Sequence, residues 1–148
     1  MNPLNYILLI LSFICVFCNA QDLVILHTND LHSRLNGSSP ESEYTPLTTN
    51  DDPTKGGFSR IASIIKQEKR EHNNKLLTLD AGDFSVGTLF YNLERETGFQ
   101  LALMGKMGYD VVALGNHEFD YGTEALAQII YKSTENYTIP QLILSNAE

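Results

Sequence analysis

Three stretches of the chain carry polar side chains that can bind a metal ion. They are residues 27–32 (HTNDLH), 80–83 (DAGD) and 115–120 (GNHEFD), and each follows an apolar run, at 23–26, 76–79 and 111–114. Apolar runs of this length are typical of buried strands. Because open α/β sheets gather their ligands at the carboxyl ends of strands, we expect the three loops to form one site.

Carboxylate, amide and imidazole groups together suit zinc, manganese or iron. Two such ions about 4 Å apart can hold the attacking and leaving oxygens of a phosphoryl transfer. Taken alone, Asp83 and Asn116 would be turn residues, and His117 a partly buried hydrogen-bonding histidine. Their occurrence at three successive strand ends favours the metal site.

The rest of the pattern predicts the elements that position these loops. The run 111–114 does not alternate, which predicts a strand covered on both faces, as in a parallel sheet. A fourth strand is predicted at 142–144. Helices are predicted between the strands, so the order β-α-β-α-β-α-β indicates an α/β fold with mainly parallel strands and right-handed crossovers.

The helices have recognisable boundaries in the sequence. The first is predicted to have Ser59 as its N-cap, to bury the isoleucines at 61, 64 and 65, to leave residues 66, 67, 69 and 70 in water, and to end near 72–74. The second is predicted at 97–107, with Gly108 just past its end. The third opens near Thr123, with Leu126, Ile129 and Ile130 on one face.

The ordered motifs Asp30-x-His32, Gly82-Asp83 and Gly115-Asn116-His117-Glu118 resemble those of the calcineurin-like metallophosphoesterases. The residues around them look like the secreted 5′-nucleotidase and apyrase branch of that family. The resemblance runs from about Leu23 to the end of the chain. It implies that the α/β fold is the β-α-β-α-β-α-β portion of a metallophosphoesterase sandwich, with ligands at the strand carboxyl ends.

The resemblance also implies roles for individual residues. Asp30 and His32 would hold a first metal ion, Asp83 would bridge two ions, and Asn116 would bind the second through its amide oxygen. The cofactors would be two divalent ions, zinc first, with manganese or another ion as the alternative. His117 would face the substrate phosphate, and Asp120 would keep that imidazole oriented and protonated.

Other polar residues near these motifs are not included among the ligands. Glu118 is expected to make a structural hydrogen bond or to support the site from behind. His27 is expected to be a core or supporting histidine, and Asp80 precedes a turn. Asp51 and Asp52 lie in the long polar loop 33–57 and are predicted to form a surface turn.

Composition narrows the class of partner. The chain has 148 residues, of which 43% are hydrophobic and 19% charged, and its formal net charge is −8. That balance argues against a nucleic-acid partner or an anionic membrane surface, because both require basic patches. It leaves a small-molecule nucleotide substrate open, because bound metal ions reverse the local field.

Residues 1–20 are predicted to be a signal peptide. Tyr6 to Cys18 is almost wholly apolar but shorter than the ~20 residues of a membrane span, and cleavage is expected before Gln21. An uncleaved anchor is the alternative. The predicted location is therefore extracellular, or periplasmic in a bacterium. The glycosylation sequons at Asn36 and Asn136 fit that compartment.

The sequence thus predicts metal-dependent hydrolysis of nucleotide phosphate esters or anhydrides outside the cell, as a 5′-nucleotidase or apyrase. Residues 21–148 are expected to be the N-terminal portion of a metallophosphoesterase domain, with a C-terminal substrate domain and further histidine ligands beyond this stretch. The alternatives are another metallophosphoesterase, such as a 2′,3′-cyclic phosphodiesterase, and a non-catalytic secreted binding protein on the same fold.

Overall fold

The computed structural model describes Pro3 and residues 23–37, 55–73 and 75–145, with the side chain of Asn136 excepted. Apart from Pro3, the predicted signal peptide lies outside the described residues, as does the predicted surface turn at Asp51 and Asp52. Within the described ranges, no helix has both the length and the apolar character needed to cross a membrane.

Four parallel strands form one sheet in the order β1-β2-β3-β4. Their bounds are Val24–Thr28, Leu76–Asp80, Val111–Ala113 and Gln141–Ile143. The connections contain helices α1 (Phe58–Glu71), α2 (Tyr91–Thr97), α3 (Phe99–Met107) and α4 (Thr123–Asn136), and a 3-10 turn at His117–Phe119 follows β3. The predicted α/β class with parallel strands is confirmed.

One face of the sheet packs against the helices. Its register aligns Leu26 with Thr78 and Asp80 with Val112. The main apolar cluster joins this face to α1 and α3, and it comprises Phe58, Ile65, Phe84, Leu101, Met104, Met107, Tyr109 and Val112. The helical layer therefore holds the strand ends in place from one side.

The opposite face of the sheet is more open among the described residues. Ile25 of β1 is 53% exposed and Ile143 of β4 is 52% exposed. Val112 is fully buried, whereas Val111 and Ala113, which point to the open face, are half-buried. Among the described residues the strand is thus covered through Val112 on the helical face and is half-open on the other, so the expectation of cover on both faces is not met.

Helix α1 begins two residues earlier than predicted. Gly57 stands at its N-cap position with φ 86°, so Ser59 is an exposed residue of the first turn and not the cap. A Cβ atom at Gly57 would lie 2.6 Å from the backbone nitrogen of Gly37, so this approach requires glycine. Phe58 then donates its N–H to Leu35 O (3.0 Å) and buries its ring, which fixes the start of the helix.

Two side chains of α1 also differ from the amphipathic pattern. Ile64 is 55% exposed instead of buried. The ammonium group of Lys69 is not free in water, because it donates to Gly108 O at 2.6 Å and lies 3.6 Å from Asp110 Oδ1. The long lysine side chain reaches across to the end of α3, a contact that periodicity does not encode.

The predicted helix at 97–107 is interrupted at its start. Gly98 adopts a left-handed conformation (φ 62°) and separates α2 from α3. A Cβ atom there would lie 2.4 Å from Ser133 Oγ of α4, so close packing of the helices requires glycine. The predicted end at Gly108 (φ 99°) and the predicted start of α4 at Thr123 are confirmed.

Candidate metal centre

The loops that follow β1 and β2 are joined by backbone hydrogen bonds. Asp30 N–H donates to Gly82 O (3.0 Å), His32 N–H donates to Asp83 O (3.0 Å), and Ser33 N–H donates to Phe84 O (2.8 Å). These bonds continue the pairing of β1 with β2 beyond the strands themselves. The two loops are therefore held against each other along their backbones.

Three of the predicted ligands have a backbone conformation that is unfavourable for residues other than glycine. The φ angles are 53° at Asp30, 47° at His32 and 55° at Asp83. Left-handed φ at such residues is uncommon and clusters at functional sites. The conformation follows from the interloop hydrogen bonds, which hold both loops in tight turns.

The β3 loop lies directly against the β2 loop. A Cβ atom at Gly115 would lie 2.2 Å from Asp83 Oδ1, so only glycine fits at this position. His117 N–H donates to Asp83 Oδ1 at 3.0 Å. With its nitrogen turned toward the carboxylate, the Asn116 amide also donates to Asp83 Oδ2 at 3.3 Å.

The three loops bring a cluster of potential ligands together. One ligand atom each of His32, Asp83 and His117 lies within 4.8 Å of the other two. The rings of His32 and His117 meet edge to face with centroids 5.2 Å apart, and Asp30 Oδ1 lies 3.5 Å from His32 Nε2. The imidazole of His32 and the carboxylates of Asp30 and Asp83 form a donor set that fits a divalent ion such as zinc, and the His117 imidazole lies beside them.

The structure thus places Asp30, His32, Asp83 and Asn116, the four predicted metal ligands, at the carboxyl ends of adjacent strands. Asp30 and Asn116 are exposed, while His32 and Asp83 are half-buried. The exposed atoms face a site that a bound ion or a phosphate group can reach from solvent.

His117 and Asp120, the two predicted catalytic residues, form a hydrogen-bonded pair. His117 Nδ1 lies 2.9 Å from Asp120 Oδ2. This hydrogen bond raises the pKa of the His117 imidazole above its ordinary value, and the charge of Asp120 acts in the same direction. Because Nδ1 is engaged by Asp120, Nε2 remains available to a ligand at the cluster.

Asp80 is a supporting residue that sequence reasoning left out. It is buried, and it accepts hydrogen bonds from Thr28 Oγ1 (2.5 Å) and from Gly82 N–H (3.0 Å). Burial raises the pKa of Asp80 to about 6. The signal that could have found this role is its position two residues before Gly82, where an aspartate commonly bonds to a backbone N–H.

Two further expectations concern residues next to the motifs. His27 is exposed on β1, between the half-buried Leu26 and Thr28, so the expectation of a core histidine is wrong. Glu118 is buried, and it makes the expected structural hydrogen bonds, to Gly115 N–H among others.

Residues 23–146 match the calcineurin-like phosphoesterase family. This chain belongs to that family. Among its curated relatives, the 5′-nucleotidase of Bos taurus is 42% identical over 112 residues and the 5′-nucleotidase of Homo sapiens is 40% identical over 117 residues. The alignments cover 75% and 78% of this chain, but 18% and 19% of the relatives.

Solved structures of the family agree with the fold. The NAD nucleotidase of Haemophilus influenzae superposes with a TM-score of 0.62 at 32% identity, covering 81% of this chain and 20% of that one. A 5′-nucleotidase precursor from Thermus thermophilus gives a TM-score of 0.58 at 31% identity, covering 75% and 20%. The chain therefore spans about a fifth of the length of these relatives.

Proposed function

We propose that the protein is a divalent-metal-dependent hydrolase of nucleotide phosphate esters, a 5′-nucleotidase in its reaction. The observation that carries this proposal is the cluster of His32, Asp83 and His117, with ligand atoms within 4.8 Å of one another beside the His117–Asp120 pair. Family membership and the 5′-nucleotidase relatives support the reaction class and a nucleotide as the substrate.

The residues divide into those that would hold ions and those that would act on the substrate. Asp30, His32, Asp83 and Asn116 would hold two divalent ions, zinc first, together with ligands from outside this stretch. When bound, such ions supply Lewis acidity that makes water a better nucleophile and offsets phosphate charge. The oxygen-rich loops would otherwise repel an anionic substrate.

His117 would act on the phosphate itself. Its raised pKa favours the imidazolium form, which can offset charge on the phosphoryl oxygens or donate the Nε2 proton to the leaving oxygen. Asp120 would hold the ring through Nδ1, so that Nε2 points to the cluster. The hydrolysis would take place outside the cell, a location supported by the apolar leader of residues 1–20.

Hydrolysis of adenosine 5′-monophosphate by the full-length protein tests this function. Phosphate release should stop when the ions are chelated and should return when zinc is added. Asp83→Asn should abolish the reaction, because it removes the charge that would bridge two ions. Glu71→Gln, an exposed position in α1 with the same change of charge, should leave the rate unchanged.

Assays with other nucleotides distinguish a 5′-nucleotidase from an apyrase, a cyclic phosphodiesterase and a binding protein. Release of phosphate from adenosine di- and triphosphate would extend the activity to that of an apyrase. Hydrolysis of 2′,3′-cyclic nucleotides without hydrolysis of 5′-monophosphates would refute the 5′-nucleotidase. Binding of nucleotide without turnover in the zinc-loaded protein would refute an enzymatic role and favour a binding protein.

A further inference from the structure

Glu118 is a buried carboxylate that lies between the loops that follow β2 and β3. It is 4% exposed. Its Oε2 accepts hydrogen bonds from Gly115 N–H (2.7 Å) and Asp83 N–H (2.9 Å). Its Oε1 accepts hydrogen bonds from the N–H (3.0 Å) and the hydroxyl (2.8 Å) of Ser85. One side chain thus bonds four donors on two different loops.

This arrangement requires a carboxylate and not merely a polar side chain. Both oxygens act only as acceptors, and each receives two donors. A glutamine in the same place would turn an NH2 group toward two of these donors, and at least one backbone N–H would lose its acceptor. Hydrogen bonds to an ionised acceptor are also stronger than neutral ones, which suits a buried tie between loops.

The donors identify what Glu118 holds in place. Asp83 is the residue that would bridge two ions, and Gly115 immediately precedes Asn116, which would bind the second ion. The backbone of His117 is tied to the same unit through its N–H to Asp83 Oδ1. The distance between the β2 loop and the β3 loop is therefore fixed by Glu118 from the buried side of the site.

We propose that Glu118 is the positioning residue of the metal centre, which sets Asp83 against Asn116 before an ion binds. The inference rests on the proposed function, because it assigns Glu118 a role in metal affinity. The proposed role goes beyond a structural hydrogen bond, because Glu118 would change metal affinity without binding an ion itself, through Asp83 and Asn116, which would bind the ions. Supporting groups of this kind typically change metal affinity about 10- to 100-fold when they are replaced.

Glu118→Gln in the full-length protein tests the proposal with two measurements. The first is residue-resolved amide hydrogen exchange of the metal-free protein at Asp83, Ser85 and Gly115, which should become at least about tenfold faster as the interloop bonds open. The second is zinc titration by calorimetry, where the dissociation constant should rise about 10- to 100-fold. Excess zinc should then restore much of the activity.

Ser133→Ala is the matched control. Ser133 is buried, and its hydroxyl donates to Gly98 O (2.7 Å) and Ile129 O (2.8 Å), a tie among helices and not between the site loops. This variant should lower the melting temperature while leaving zinc affinity and exchange at the three loop amides unchanged. A loss of affinity equal to that of Glu118→Gln would show a general structural effect and overturn the proposal.

Ser85→Ala keeps the proposal testable if Glu118→Gln does not fold. It removes the hydroxyl bond alone and should raise the zinc dissociation constant by less than Glu118→Gln, but measurably above wild type. If zinc affinity and amide exchange are unchanged in either folded variant, the role of Glu118 is overturned while the proposed function stands. Failure of the wild-type protein to bind zinc would instead overturn the proposed function, and with it any role of Glu118 toward a metal.

Discussion

The hydrogen bond between His117 and Asp120 is the contact by which the Asp120 carboxylate favours the protonated form of the His117 imidazole. It joins Nδ1 to Oδ2 at 2.9 Å and raises the pKa of His117. A histidine with a raised pKa keeps its proton to higher pH than an isolated imidazole does. If the imidazolium is the active form, its loss should set the alkaline limit of catalysis.

Asp120→Asn should therefore shift the alkaline limb of the kcat–pH profile to lower pH. The amide removes both the charged acceptor and the negative charge beside the ring, so the pKa of His117 falls and the imidazolium is lost earlier as pH rises. The maximal rate should fall at least about tenfold, because the ring loses its orientation as well as its proton. The measurement is kcat against pH for the zinc-loaded, full-length protein.

Glu124→Gln provides the control for that experiment, because it removes a nearby exposed charge in the first turn of α4 without touching the ring. Its profile should match that of the wild type. An alkaline limb that stays in place in Asp120→Asn would mean that His117 does not control the reaction through its proton.

At this scale the sequence predicted the six candidate site residues and a supporting hydrogen bond from Glu118, but not the supporting role of Asp80 or the partners of either carboxylate. The positions of the six residues after strands indicated a metal site, and the family resemblance assigned roles to Asp30, His32, Asp83, Asn116, His117 and Asp120. The contacts of Asp80 with Thr28 and of Glu118 with Ser85 span 52 and 33 residues. Only tertiary packing brings these distant partners together, so no local pattern predicts the bonds to Thr28 and Ser85.

At the scale of elements, the site depends on three loops that lie in direct contact. The β1 and β2 loops share backbone hydrogen bonds, and the β2 and β3 loops approach closely at Gly115. No atom at the Gly115 side-chain position can be accommodated without movement, because Asp83 Oδ1 would lie 2.2 Å from an added Cβ. Glycine at position 115 is therefore needed for the Asp83 carboxylate to keep its position.

Gly115→Ala should displace the Asp83 carboxylate and reduce zinc affinity about tenfold or more, since ligand positions must hold to within about 0.5 Å. Zinc titration calorimetry of the full-length protein measures this change. Gly56→Ala is the comparison, because no atom lies within 4 Å of an added Cβ there and only the cost of its left-handed φ of 70° is incurred. Equal zinc affinity in the two variants would show that the contact at Gly115 does not position Asp83.

The order of the elements was predictable, whereas two of the boundaries were not. The apolar runs and the end of α3 at Gly108 follow local rules, and the structure confirms them. The break at Gly98 was missed because it depends on Ser133, 35 residues away. The start of α1 was misplaced because Gly57 approaches Gly37 across the chain, a contact that cap preferences do not record.

At the scale of the whole molecule, the buried carboxyl group of Glu94 makes the stability of the fold depend on pH. Glu94 of α2 is 1% exposed, and one of its oxygens accepts the N–H of Gln100 at 2.7 Å. Burial raises the pKa of Glu94 from 4.5 to about 7. Between these two values the folded state holds a proton that the unfolded state has released, so the free energy of unfolding falls as pH rises.

Glu94→Gln should remove this part of the pH dependence. Between pH 4.5 and pH 8, the free energy of unfolding should fall less in the variant than in the wild type. The difference between the two falls should be on the order of 3 kcal/mol at most. Urea unfolding at a series of pH values measures the difference. Glu96 is exposed on the same helix, so the free energy of unfolding of Glu96→Gln should depend on pH as that of the wild type does. If Glu94→Gln also shows the wild-type pH dependence, the coupling is refuted.

The metal content of the purified full-length protein tests the central claim most directly. After dialysis against micromolar zinc, the wild-type protein should retain two ions per chain by mass spectrometry of the metal, and Asp83→Asn should lose at least one of them. If the wild type retains two ions and Asp83→Asn does not, the result supports a centre bridged by Asp83. A wild-type protein that retains no zinc, or an Asp83→Asn variant that retains as much as wild type, would contradict it.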